Sequence, residues 1–220
     1  MKIDKIPHKI EISKDIYYRP HEPARDRPNI GYIVGRDKSL LIDVGASEAH
    51  VQDIMKDLAQ QGLPIANYGC ITHKDWDHAY GAWGAKKHGI ALIAGHRTNA
   101  ELLEICKKWS WTEEAMSDRV EKGIELDFCN QMMLKEYPNR DIKVIPADII
   151  VDQKMALDLG GVICEIYSVP NPHTQECLIV RCKDFVFLSD SPNLDLYQKK
   201  WEYDETKGFR ESIRSLKYDK

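Results

Sequence analysis

The stretch Thr72-His73-Lys74-Asp75-Trp76-Asp77-His78-Ala79-Tyr80-Gly81 decides how the rest of the chain is read. It follows the apolar, strand-like segment Tyr68 to Thr72 and precedes a short helical pattern from about Tyr80 to Lys87. His73, Asp75, Asp77 and His78 are four metal-capable side chains crowded into one loop. At a strand's end such side chains converge on one point, as hard or borderline cations require. A polar loop with a helix-capping Asp uses the same residue types, so the flanking segments must decide between the two.

Upstream, Asn29 to Gly45 alternates and then runs apolar around a polar turn at Arg36 to Ser39, a hairpin signal that ends in Leu41-Ile42-Asp43-Val44-Gly45. Ser47 can cap the helix that follows, whose apolar face is Val51, Ile54, Met55 and Leu58, and Gly62 stops it. Beyond the motif, Ala91 to Ala94 reads as a buried strand and Asn99 to Lys108 as a helix. Trp109 to Pro138 is a long helical stretch rich in Glu, Met and aromatics, expected to be core plus a solvated face, or else a lid or dimer contact.

Asp141 to Asp190 returns to β pattern, with strands at Val162 to Val169, Glu176 to Cys182 and Phe185 to Leu188. Pro170 and Pro172 stiffen the turn that carries His173 and fix where it points. Phe185 to Leu188 leads into Ser189-Asp190, an acid at a strand's carboxyl end, where ligands of α/β folds usually bind. Phe209, Ile213 and Leu216 mark a final helix. Strands, helices, strands and a helix predict two half-sheets between helix layers.

Composition narrows the function classes. The 220 residues carry 31 Lys and Arg against 35 Asp and Glu, mixed along the whole length, which argues against a dedicated nucleic-acid or anionic-membrane surface. With no long apolar run and no secretory pattern, a membrane span is unsupported. The six cysteines form no C-x-x-C pair and are expected to be reduced and mostly buried, in a cytoplasmic protein.

Together the Asn29 to Gly45 hairpin, the H-x-[H/D]-x-D-H loop, the P-x-P-H-T turn and the F-L-S-D acid resemble the metallo-β-lactamase superfamily. That resemblance implies an α/β fold, the four-layer αββα sandwich, as one domain over residues 1–220 with a helical insert at about 109–138. It also implies one or two divalent metal ions, zinc by family. His73, Asp75 and His173 would form the first metal site, Asp77 and His78 the second, and Asp190 would bridge them. Asp43 matches an acid that supports the loop from behind. The implied activity is hydrolysis of a small ester, thioester, lactone, amide or phosphoester by a metal-bound water or hydroxide, with Asp77 as the catalytic residue that orients the nucleophile.

Two departures qualify the resemblance. Asp75 stands where the family normally has a second His; a carboxylate there makes the site harder and favours iron or manganese relative to zinc. Asp is also short, so it is expected to fall short of the ion or to reach it through water. The second departure is that no histidine follows His173, whereas the family supplies one more from a loop after a further strand. The expectations are an incompletely held second metal, an exposed sheet edge near Tyr197 to Lys220, and a weak or inactive 220-residue form. The alternatives are a di-iron-type redox protein and a non-catalytic relative with a degraded metal site. The remaining histidines, His8, His21, His50, His88 and His96, are expected in structural or surface roles. A small-molecule substrate and no nucleic-acid partner are expected, and the aromatic insert is compatible with a homodimer.

Overall fold

The structure, a computed structural model, describes residues 10–192 and 210–213. It opens with two strands that the hydrophobic pattern does not mark, β1 (Ile10–Ser13) and β2 (Ile16–Arg19), paired antiparallel with a register shift. β3 (Ile30–Val34) and β4 (Ser39–Ile42) form the expected hairpin, with Tyr32 opposite Leu41. All four residues of β4 are buried, as a strand covered on both faces requires. α1 (Glu48–Gln60) begins where the Ser47 hydroxyl accepts the His50 N–H at 3.0 Å and ends just before Gly62 at φ 67°.

β5 (Tyr68–Ile71), β6 (Ala91–Gly95) and β7 (Ile149–Val151) then add in parallel beyond β4, completing a seven-stranded sheet in the order β1-β2-β3-β4-β5-β6-β7. β8 (Lys154–Asp158), β9 (Ile163–Val169), β10 (Cys177–Cys182) and β11 (Phe185–Phe187) form a second, antiparallel sheet in the order β11-β10-β9-β8.

The helices depart from the sequence reading in three places. The metal-capable motif is itself partly helical: α2 (Trp76–Ala79) contains Asp77 and His78, and α3 (Ala82–Lys87) follows after a break. α4 (His96–Lys108) starts three residues before the expected Asn99, directly from β6. The stretch after Trp109 is two helices, α5 (Glu113–Glu121) and α6 (Asp127–Glu136), separated by a turn at Gly123, whose φ is 66°. Of the expected final helix only 210–213 is helical among the described residues; Phe209 and Leu216 lie outside them, as does the expected exposed edge at 197–220 apart from 210–213.

Four layers result. Ile33, Leu40, Ile42 and Cys70 of the large sheet pack against Cys164, Ile166, Leu178 and Val180 of the small one. On its other face the large sheet presents Leu41, Ile71 and Leu92 to Val51, Ile54 and Met55 of α1, Leu102 of α4, and Met116 and Met133 of α5 and α6. Ile213 packs on Val169 and Ile179, on the outer side of the small sheet. Among the described residues no helix is long and apolar enough to cross a membrane. The described cysteines are free thiols; Cys70, Cys164, Cys177 and Cys182 are buried, Cys129 half-buried and Cys106 exposed.

A buried ion pair fastens the end of α6 to this frame. The Arg27 guanidinium donates to both oxygens of Glu136 on α6, at 2.9 and 3.0 Å, and the Ser47 hydroxyl donates to the same carboxylate. Bidentate geometry and a third donor offset the cost of burying the two charges.

Glycine is required where α2 meets α3. A Cβ at Gly81 would overlap the Val44 and Gly45 carbonyls, and the Gly81 N–H donates to Gly45 O at 2.7 Å. This close approach draws the end of α2 onto the loop after β4. Gly81→Ala is therefore expected to destabilise the protein by about 1–3 kcal/mol, as overpacking does. Urea denaturation would check it; an unchanged midpoint would show that the loop gives way without cost.

Candidate metal centre

The parallel strands β4, β5 and β6 end on the same side of the sheet, and the loops leaving β4 and β5 carry Asp43 and His73 to His78. The small sheet brings the other half. The Leu178 N–H of β10 donates to Thr72 O at 2.8 Å, which fixes the mouth between the sheets. His173 sits in the β9–β10 loop, where Asn171 Oδ1 accepts the N–H groups of His173 (2.9 Å) and Thr174 (3.0 Å). Glu176 ties the same loop to α4 by accepting from Thr98 N–H at 2.8 Å and from the Ser168 hydroxyl at 2.9 Å. Asp190 follows β11 after Ser189, which takes a left-handed φ of 49°.

Asp43 organises the centre from behind. It is buried, with a left-handed φ of 64°, and its Oδ1 accepts from Thr72 N–H (2.9 Å) and Oγ1 (2.7 Å). Its Oδ2 lies 2.8 Å from His78 Nδ1 and accepts from the Ser189 hydroxyl at 3.2 Å. Burial raises the Asp43 carboxyl, but His78, His73 and the Thr72 amide outweigh it and hold it below the usual range.

The tautomers follow from these contacts. Since Asp43 accepts only, His78 Nδ1 carries a proton. Burial lowers the imidazole's pKa, but Asp77, Asp43 and Asp190 outweigh it and raise it well above the ordinary value, so Nε2, which faces the site, must give up a proton to bind an ion. Thr72 Oγ1 gives its own proton to Asp43, so it accepts from His73 Nδ1, 2.9 Å away, and leaves Nε2 as the His73 nitrogen that faces the site. That His73 nitrogen is buried and without a hydrogen-bond partner. A buried imidazole nitrogen without a hydrogen-bond partner, facing carboxylates and a second imidazole, fits a cation-binding position.

Around it stand the residues that the sequence brings forward. Asp75 Oδ2 is 3.5 Å from His73 Nε2 and 3.2 Å from His173 Nε2. Asp75 occupies the N-cap position of α2 without capping it, which sets aside the reading of this acid as a helix cap. Burial raises its carboxyl, yet His73, His173 and Lys74 more than reverse that and hold it well down. Asp190 Oδ2 lies 3.7 Å from His78 Nε2 and 4.0 Å from His173 Nε2, between the two imidazoles. Burial opposes its ionisation, but His78, His73 and His173 draw the carboxyl down to about 2.

Among the described residues two groups could each hold a metal ion: His73, Asp75 and His173, and His73, His78 and Asp190. Asp77 belongs to neither. Its Oδ2 sits 3.2 Å from His78 Nε2, at the open side of the second group.

Beside the second group lies a cavity of about 690 Å³ whose wall includes His21, Asp26, Asp77, His78 and Asp190. The sequence reading gives His21 a surface role and does not single out Asp26. Both sit in the β2–β3 connection, far in sequence from the motif, and nothing in their spacing points to the site. Of the other histidines, His50 is fully buried, and burial together with Arg27 and Arg19 lowers its pKa well below the ordinary value, keeping it neutral. His88 follows α3, and the exposed His96 faces Asp152 at 3.8 Å. His8 lies outside the described residues.

Two stacked sheets flanked by helices, with a His/Asp cluster where the strand ends meet, define an αββα sandwich with a candidate metal centre. The chain belongs to the metallo-beta-lactamase superfamily, whose family model matches residues 24–181. Members of that superfamily bind divalent metals and are mostly hydrolases. A metallo-beta-lactamase from Cronobacter sakazakii, described by its HARLDQ motif, is 17% identical; the match covers 95% of this chain and 76% of that one at a TM-score of 0.60. The FEZ-1 metallo-beta-lactamase from Legionella gormanii is also 17% identical, over 94% of this chain and 74% of its own, at 0.58. The stereoselective inverting sec-alkylsulfatase Pisa1 from Pseudomonas sp. is 16% identical over 80% of this chain and 30% of its own, at 0.54. At these identities the likeness is one of fold. No curated protein sequence matches the chain.

Asp26 supplies a pH test of this geometry. Burial raises its carboxyl to about 6, with Asp77 and Asp190 adding to the rise and His78 opposing it. A raised acid binds more protons folded than unfolded between pH 4 and 6, so its ionisation destabilises the metal-free fold as pH rises through that window. Asp26→Asn, which tolerates the left-handed backbone (φ 54°), is expected to stabilise the metal-free protein at pH 7. Allowing for solvent screening, the gain is about 1 kcal/mol and disappears below about pH 4. A gain that persists at pH 3.5 in thermal melts would contradict it.

Proposed function

We propose that this protein is a metal-dependent hydrolase of a small ester, thioester, lactone, amide or phosphoester. The observation that carries the reading is the buried, unpartnered Nε2 of His73, facing Asp75 and His173. His73, Asp75 and His173 would hold one divalent ion; His78 and Asp190, with Asp77 at the open side, would hold a second. When bound, such an ion supplies Lewis acidity, lowering the pKa of a water and polarising the carbonyl or phosphoryl oxygen under attack.

The chain's own residues do the rest. Asp77, its carboxylate at the cavity wall, accepts a hydrogen bond from the attacking water and orients it. Asp43 keeps His78 in the Nδ1–H tautomer and, through Thr72, does the same for His73. A cavity of about 690 Å³ is within the range of small-ligand sites and is open enough for a substrate of modest size. The comparisons, which reach lactamases and an alkylsulfatase, do not favour the di-iron redox alternative. Asp75 leaves zinc, manganese and ferrous iron as the ions to try.

Protein produced without a metal-binding tag should contain a divalent metal, and reloading the stripped protein with each of the three ions should restore turnover on a panel of these substrates. His173→Ala should lose both metal and turnover. Metal-free protein that no ion activates would leave the non-catalytic reading standing. Asp43→Asn, which sets an amide NH2 against the His78 Nδ1–H, is expected to weaken metal affinity by about 10 to 100-fold. Competition against a chromophoric chelator measures this, and unchanged affinity would show that Asp43 does not position the ligands.

A further inference from the structure

We propose that Lys74 is a positioning residue for the metal centre, holding one oxygen of Asp75 so that the pair presents a single oxygen and no net charge in place of an imidazole. The inference rests on the reading of Asp75 as a ligand. Lys74 Nζ donates to Asp75 Oδ1 at 3.0 Å, while the other oxygen, Oδ2, faces His73 Nε2 at 3.5 Å and His173 Nε2 at 3.2 Å. The two carboxylate oxygens therefore have different tasks. One is occupied by an ammonium and one is directed at the imidazoles.

Lys74 is well placed for this task. Its side chain is about one-third exposed, and Glu101 and Glu125 join Asp75 in making its surroundings negative. Asp75 makes no cap hydrogen bond to α2, so among the described residues the ammonium is the contact that fixes Oδ1. A free carboxylate can rotate and offer both oxygens to an ion, which suits an octahedral, oxygen-rich site. A carboxylate with one oxygen engaged offers one donor, as a tetrahedral site with imidazoles requires. The adjacent positive charge also offsets the extra carboxylate that Asp75 introduces relative to His.

The test is a double-mutant cycle read as metal selectivity, the ratio of zinc to manganese dissociation constants measured by chelator competition on the full chain. Lys74→Gln should shift that ratio toward manganese by about 10-fold, the scale on which a ligand's supporting partner acts. Lys74→Arg, which keeps a cationic donor, should leave the ratio near that of the wild type. On an Asp75→His background, Lys74→Gln should leave it unchanged within about twofold, because no second oxygen remains to be released. An unchanged ratio in Lys74→Gln alone, or the same shift on both backgrounds, would overturn the inference while leaving the metal centre intact. A wild-type protein that binds neither ion would instead overturn the functional reading on which it rests.

Discussion

The buried carboxylate of Asp43 is the constraint on which the site depends. Four contacts converge on its two oxygens, from the Thr72 amide, the Thr72 hydroxyl, His78 Nδ1 and the Ser189 hydroxyl. A buried carboxylate with fewer donors would be costly to keep ionised. With all of them in place it joins the end of β4 to the loop after β5 and to the end of the small sheet. Each contact leads to a metal-capable group: the hydroxyl of Thr72 to His73, the imidazole contact to His78, and Ser189 to Asp190. The left-handed backbone at Asp43, in a residue type that tolerates it, turns the carboxylate back under the motif.

Local patterns in the sequence report local structure well. The hairpin from Asn29 to Gly45, the capped helix after Ser47 and the strands at Ile163–Val169 and Cys177–Cys182 were legible because each contains its own periodicity and its own stop signal. β1, β2, β7 and β8 were not, since they are three to five residues long and lack the bounding turn and apolar run that made the equally short β11 readable. The helical start at Trp76 was hidden because a helix of four residues has no amphipathic repeat to read.

Among the site residues, those within one motif were visible from their crowding, and His173 and Asp190 from the turn and strand end that carry them. What stayed hidden was pairing across long separations. Arg27 and Glu136 meet through tertiary packing, and Asp26 and His21 reach the cavity from the β2–β3 connection. No spacing rule links such residues, because their proximity is decided by how the two sheets stack. The same pairing changes the reading of the helical insert. Glu136 is clamped by Arg27 and Ser47, and the Tyr137 hydroxyl lies 3.1 Å from Ala46 O and 3.2 Å from Tyr80 O. The end of α6 is thus part of the frame that supports the motif.

The motif's own helix shows how the frame substitutes for intrinsic propensity. A helix of four residues is far too short to be stable alone, and α2 has no side-chain cap. It is held by backbone contacts to the loop after β4 instead. The Val44 N–H donates to His78 O at 3.2 Å, and the Gly81 N–H just beyond the helix donates to Gly45 O at 2.7 Å. Trp76, 4% exposed, anchors its buried side. Because that anchoring is tertiary, Asp75 is released from the capping task that its position would ordinarily impose, and its carboxylate can turn toward His73, His173 and Lys74. The same backbone would hold an imidazole at residue 75 without a cap being lost, which is why a change of side chain there alters the donor set without altering the fold that presents it.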